Sequence, residues 1–135
     1  MDILSVTERS ARMRLIRSGN TTPELLVRKL VHSLGYRYRL HAPDLPGKPD
    51  LVFAGRRKVI FVHGCFWHTH HGCNMGRPPK SNLDFWLPKL RRNRERDKRV
   101  LQELRNVGYR VFTIWQCEVE RGSPRLEERI RRFLG

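Results

Sequence analysis

Four histidines and two cysteines fall within eleven residues, His63 to Cys73 (HGCFWHTHHGC). The run has no helical or alternating apolar period, and Gly64 and Gly72 interrupt it. Residues 63–82 therefore read as one long irregular loop. In a small domain such a loop is either functional or disordered. Thiolates and imidazoles suit Zn²⁺, which takes four such ligands in a structural site. Cys65 and Cys73 supply two, Cys117 is a long-range third, and one histidine completes a Cys₃His set. The plainer alternative is a set of free cysteines beside a surface histidine cluster. Three cysteines is an odd count, which argues against a disulfide framework and for one shared site. With every cysteine on zinc, the remaining histidines are free for chemistry.

The flanking segments set the fold class. Thr22-Pro23-Glu24 opens a helix: Thr22 suits the N-cap, Pro23 the first helical position and Glu24 the helix dipole. Leu26, Leu30 and Leu34 recur at helical spacing, Val27 and Val31 widen the apolar face, and Gly35 is the stop. Tyr36 to His41 alternates like a strand. Leu51–Ala54 and Lys58–Val62 flank Gly55-Arg56-Arg57 as a β-hairpin. Residues 83–107 are helical, with a break expected near Pro88; Arg91 to Arg99 contains no apolar residue. Tyr109 to Trp115 is a strand, and Ser123-Pro124 starts a last helix that runs to Leu134. This order predicts one α/β domain over residues 1–135, a mixed sheet flanked by helices. Residues 5–17 form a basic segment with Met13 and Ile16 about one turn apart, either a short helix or an arm that orders on a partner.

Charge narrows the partners. The chain has 28 Lys and Arg against 13 Asp and Glu, a formal net charge of +15. Such a field attracts a polyanion, most often nucleic acid, without saying what is done to it. No apolar run approaches the roughly 20 residues of a membrane span. Met1 to Ser5 lacks the layout of a signal peptide, so the expectation is a cytosolic protein with no membrane contact.

Individual residues carry sharper signals. Asp50, after Pro49 at the head of the hairpin, suits Mg²⁺, a hard cation that prefers carboxylate oxygen; the bland reading is ordinary turn chemistry. A common nuclease pattern places Glu-x-Lys on the next strand, and the corresponding positions here are Phe61 and His63. That pattern is incomplete. Phe66 and Trp67 sit in a polar loop, where aromatics are exposed unless docked on a partner; beside DNA they would stack or wedge between bases, and Trp86 could join them. Asp97, within Arg94 to Arg99, reads on spacing alone as part of a solvated, phosphate-contacting helix face.

Together these residues are no longer generic. Leu45-Pro46-Gly47-Lys48-Pro49-Asp50, Phe61-Val62-His63-Gly64-Cys65-Phe66-Trp67-His68, Asp84-Phe85-Trp86-Leu87 and Asn93-Arg94-Glu95-Arg96-Asp97 resemble the very short patch repair (Vsr) endonucleases. So does Gly108-Tyr109-Arg110-Val111 followed by Trp115 and Cys117, and the resemblance spans about residues 7–120. It implies a restriction-endonuclease-like fold with a structural zinc. It also implies a Mg²⁺-dependent nick in one DNA strand, 5′ to the T of a T:G mismatch left by deaminated 5-methylcytosine. Matched by position, Asp50 resembles the Mg²⁺ ligand. His68 resembles the acid–base residue, with Glu24 holding its ring, and His63 and Asp97 resemble a second supporting pair. Zinc goes to Cys65, Cys73, Cys117 and a histidine. Counting from Cys65 gives His70, and a His-x-Cys spacing before Cys73 gives His71; His70 is preferred. Phe66, Trp67 and Trp86 resemble a major-groove wedge, and Met13 with Ile16 its minor-groove counterpart on residues 1–20. Val62 stands where relatives often carry Thr, which is harmless if the backbone carbonyl is what the metal needs. The expected partner is double-stranded DNA with a T:G mismatch. Mismatch-repair proteins are further candidates, and the chain is expected to be a monomer in the bacterial cytoplasm, near the nucleoid. Two other readings remain open: a restriction-type nuclease acting on unmismatched DNA, and a zinc-containing DNA-binding module without catalysis.

Overall fold

The computed structural model describes residues 22–77, 79–122 and 124–135. Four helices are α1 (Thr22–Ser33), α2 (Leu83–Asn106), α3 (Gln116–Arg121) and α4 (Pro124–Leu134). Four strands are β1 (Arg39–Leu40), β2 (Leu51–Phe53), β3 (Lys58–His63) and β4 (Arg110–Trp115). They form one sheet in the order β1-β2-β3-β4. The first two pairings are antiparallel and β3 pairs with β4 in parallel. A parallel pair needs a long crossover, and α2 lies within it. The expected mixed α/β architecture is therefore present.

Strand residues alternate between two buried faces, as a period of two requires. Leu51, Phe53, Ile60 and Ile114 point to one face. There they meet Val27 and Val31 of α1 and Leu126, Ile130 and Leu134 of α4. Val52, Val59 and Phe61 point to the other, where they pack with Ala42 and with Leu104 of α2. Strands covered on both faces read as continuous apolar runs, which is why the hairpin was visible in the sequence. Among the described residues no helix is long and apolar enough to cross a membrane.

Four local expectations are corrected. The first strand is only Arg39–Leu40, because His41 adopts a left-handed φ of 44° that ends the pleat. Helix α2 is continuous through Pro88. A proline this early removes one ladder bond and crowds only the carbonyl of Asp84, in the first turn. The core face of α1 is Val27 and Val31, while Leu26 is 47% exposed. Helix α3, unforeseen, begins right after β4 and buries Cys117 in its first turn.

Candidate active site and metal centre

Strands β3 and β4 end side by side, His63 opposite Trp115. The chain then folds back over this sheet end. The His68 amide donates to the Gly64 carbonyl (3.2 Å) and the His70 amide to the Cys65 carbonyl (3.0 Å). Gly76 closes the loop by packing backbone to backbone: a Cβ there would lie 2.2 Å from the His70 carbonyl oxygen. The fold-back gathers Cys65, His70, Cys73 and Cys117, whose donor atoms lie within 4.8 Å of one another. His70 Nδ1 is 3.6 Å from Cys65 Sγ and 3.4 Å from Cys117 Sγ. His71 stays exposed and outside the cluster. Burial pushes the Cys65 thiol up to about 12 and also raises Cys117, while it lowers His70 and keeps that ring neutral. Cys73 goes the other way: desolvation is outweighed by hydrogen bonds from the Met75 amide and the other two thiols, which lower it. Without a cation the Cys65 and Cys117 thiols keep their protons. A dication with thiol affinity would deprotonate them, and three thiolates with one imidazole match a closed tetrahedral zinc site.

Next to this cluster lies a cleft of about 1050 Å³, whose walls include Lys48, Asp50, His63, His68 and Asp97 and which reaches His70. His68 Nδ1 donates to Asp97 Oδ2 at 2.6 Å. The His63 ring stacks on His68 with centroids 3.7 Å apart and planes 4° from parallel. Burial, then the neighbouring His68, lowers the pKa of His63 to about 3, so its ring is neutral. The Nδ1 bond leaves His68 Nε2 as the nitrogen available to a substrate proton.

Asp50 immediately precedes β2 and lines the same cleft. Its Oδ2 accepts the Val62 amide at 2.7 Å. Glu24, only 3% exposed, is ion-paired with Arg28 and accepts from His41 Nε2 at 2.8 Å. Burial raises the pKa of Asp50 to about 8; the Val62 amide opposes this and the Glu24 carboxylate adds to it. A carboxyl forced to hold its proton at neutral pH next to a second carboxylate is one that a cation would ionise. The donors Glu24, His41 and Asp50 also lie within 4.8 Å of one another.

The sequence as a whole points the same way. The family profile described as DNA mismatch endonuclease Vsr matches residues 1–75, more than half of the chain. The chain is 54% identical over 133 residues to the type II nicking enzyme V.XorIIP of Xanthomonas oryzae pv. oryzae, covering 98% of this chain and 96% of that one. It is 43% identical to the type II nicking enzyme V.NmeAIP of Neisseria meningitidis, covering 98% and 94%. It is 39% identical over 127 residues to the DNA mismatch endonuclease Vsr of Escherichia coli K12, covering 94% and 80%. The chain belongs to the Vsr family. It is accordingly a DNA endonuclease.

Against this Vsr-family frame, several expected residues meet and two pairings change. Asp50, His63, His68 and Asp97 line one cleft, and Glu24 lies beside Asp50 in a separate group with His41. Glu24 does not hold the His68 ring: its carboxylate is taken by Arg28 and His41. Asp97 holds His68, and His63 supports it by stacking, not by pairing with Asp97. The reason is register. Glu24 lies in the first turn of α1 near the start of β2, whereas Asp97 projects from the middle of α2 over the loop. Asp97 is thus half-buried and turned to the cleft, off the solvated face that its neighbours suggested. Phe66, Trp67 and Trp86 cluster as expected, with ring centroids 5.2 to 5.8 Å apart. Asn93 donates to the Trp67 carbonyl at 3.2 Å and ties the loop to α2. Met13 and Ile16 lie outside the described residues. His41 was not foreseen; only the β1–β2 register brings it opposite Asp50.

Proposed function

We propose that this protein is a mismatch-specific nicking endonuclease that cuts one DNA strand 5′ to the T of a T:G mismatch. The observation that carries this reading is a single cleft lined by Asp50, His63, His68 and Asp97, in which Asp97 holds the His68 ring. In the proposal, residues 1–135 form one restriction-endonuclease-like domain and residues 1–20 contact DNA. Asp50, with Glu24 nearby, would hold Mg²⁺, which when bound neutralises charge on a scissile phosphate. Cys65, His70, Cys73 and Cys117 would hold zinc. His68 Nε2 accepts the proton of the attacking water while Asp97 fixes the tautomer, and His63 confines the ring from its flat side. Lys48, Arg94, Arg96 and Lys98 line the cleft and suit the phosphates of a bound strand. Phe66, Trp67 and Trp86, with Met13 and Ile16 opposite, would wedge the duplex. Unstacking costs a few kcal/mol per step and less at a mismatch, which gives a physical route to selectivity. The protein would act as a monomer in the bacterial cytoplasm, with mismatch-repair proteins as candidate partners.

The test is a labelled duplex with one T:G mismatch in several contexts, incubated with Mg²⁺ and the zinc-loaded protein. A single nick 5′ to the mismatched T is expected, absent from the C:G duplex and from Asp50→Ala protein. Equal cutting of the matched duplex would favour a restriction-type nuclease. DNA binding without any nick would leave a non-catalytic module.

A further inference from the structure

The Glu24, His41 and Asp50 side chains converge from three places: the first turn of α1, the residue just after β1 and the residue just before β2. His41 reaches them through an unusual backbone. Its φ of 44° lies in the left-handed region, which a residue with a Cβ adopts only at an energetic cost. The strand pairing continues up to that point, with Leu40 opposite Leu51. The His41 amide then donates to the Asp50 carbonyl at 3.2 Å. The kink thus holds His41 against Asp50 through the backbone and aims its ring at the carboxylates. Nε2 ends 2.8 Å from Glu24 Oε2 and 4.0 Å from Asp50 Oδ1. Strain of this kind persists only where the surroundings over-determine it, and it clusters at functional sites.

We propose that His41 is a nitrogen ligand of the divalent-cation centre built by Glu24 and Asp50, and that it shifts this centre's preference from Mg²⁺ toward Mn²⁺. The inference rests on the reading of Asp50 as a cation ligand. Mg²⁺ takes oxygen ligands and keeps its waters, so an imidazole adds little for it. Mn²⁺ accepts the same carboxylates and is less exacting than Mg²⁺, so one imidazole among oxygen ligands handicaps it less. Without a cation, His41 donates Nε2–H to Glu24, and the Arg28 guanidinium, paired with Glu24 and 3.4 Å from His41 Nε2, supplies the positive charge that a bound cation would replace. With a cation, the neutral ring carries its proton on Nδ1 and turns the Nε2 lone pair inward. Glu24, His41 and Asp50 would together hold the cation. The aromatic stack of His63 on His68 keeps those two imidazoles in a separate group with Asp97.

The test uses the full chain, zinc-replete and free of DNA, with Mn²⁺ as the probe. Mn²⁺ affinity is read by electron paramagnetic resonance, and nitrogen coordination by pulsed detection of ¹⁴N coupling to the bound ion. The wild-type protein should show ¹⁴N coupling. His41→Gln should bind Mn²⁺ without it, on the order of tenfold more weakly, while Mg²⁺ competition constants change far less. Melting curves establish that the variant is folded. If the coupling survives in His41→Gln, the nitrogen comes from His63 or His68 and the proposal fails. If Mn²⁺ binds in an Asp50-dependent way with no ¹⁴N coupling, the proposal fails while the reading of Asp50 stands. If Asp50→Asn retains full Mn²⁺ binding, the reading of Asp50 itself is overturned.

Discussion

The pairing of Asp97 with His68 makes the sharpest prediction, because the sequence resemblance had given that role to Glu24. The carboxylate accepts Nδ1–H at 2.6 Å, so the proton is held there and Nε2 is left with its lone pair outward. Asp97→Asn keeps the shape but offers an amide N–H in place of one acceptor oxygen. The ring then gains by placing its own proton on Nε2, the wrong nitrogen for taking a proton from water. A positioned general base is worth about 10²–10⁴-fold, or about 3–5 kcal/mol of barrier. The single-turnover nicking rate of Asp97→Asn on a saturating T:G duplex should fall by that factor, with the DNA dissociation constant nearly unchanged. His68→Ala should be as slow as the double variant, since a base without its orienting partner has already lost its function. Glu24→Gln supplies the contrast: its loss should appear in the divalent-cation requirement, and added cation should recover part of the rate. A nicking rate for Asp97→Asn within about threefold of wild type would refute the assignment, because no tautomer error costs so little at a general base.

Other perturbations reach the scaffold and the metal sites. Gly47 has a φ of +73°, and a Cβ there would lie 2.4 Å from Val100 Cγ1. Gly47→Ala should therefore lower stability by about 1–3 kcal/mol in denaturant melts, and adding Val100→Ala should restore only the steric part. The Cys/His cluster predicts one zinc per chain by elemental analysis. Cys117→Ser should abolish that zinc and lower the melting temperature, and an unchanged zinc content would exclude the cluster as its site. His63 titrates near 3 when folded against an ordinary 6.5, so between those values the unfolded chain binds more protons. Stability should fall as pH drops through that window, by at most about 1.4 kcal/mol per unit. His63→Gln should flatten this slope, and equal slopes in the two proteins would count against a buried neutral ring.

The layered fold was legible because its signals are local. Pro23 and Pro124 mark helix starts, and the apolar runs around Gly55-Arg56-Arg57 can only be a buried hairpin. The Cys/His cluster was legible for a different reason: soft ligands are scarce in this chain, so three cysteines and a histidine have few other uses. What escaped was whatever depends on register and packing. Leu26 and Val27 are equally apolar, and only the angle at which α1 meets the sheet decides that Val27 is buried. Asp97 lies in a charged run that reads as solvated, yet one position in it faces the loop across the cleft. His41 shows the same limit most clearly. Its importance comes from a cross-strand neighbour and a left-handed φ, and neither leaves a mark in composition or periodicity.

The Cys/His cluster and the His68–Asp97 pair are joined through one stack of rings. Trp115, at the end of β4, lies flat on the His70 ring, with centroids 4.1 Å apart and planes 8° from parallel. Its indole meets the His63 ring edge-on at 5.4 Å, and His63 in turn lies flat on His68. From the metal-ligand candidate His70 to the Asp97-held His68 there is thus continuous ring-on-ring contact, and residues 65–70 carry members of both groups on a single short loop. A catalytic group on a loop is normally less exact in position than one on a strand or helix, because fewer contacts fix it. Here the loop is pinned at Cys65 and His70 on one side, braced by Trp115 from the sheet, and held at His68 by Asp97 from α2. If His68 is the general base proposed above, a metal held by the Cys/His cluster would supply the rigidity that secondary structure does not give this irregular segment.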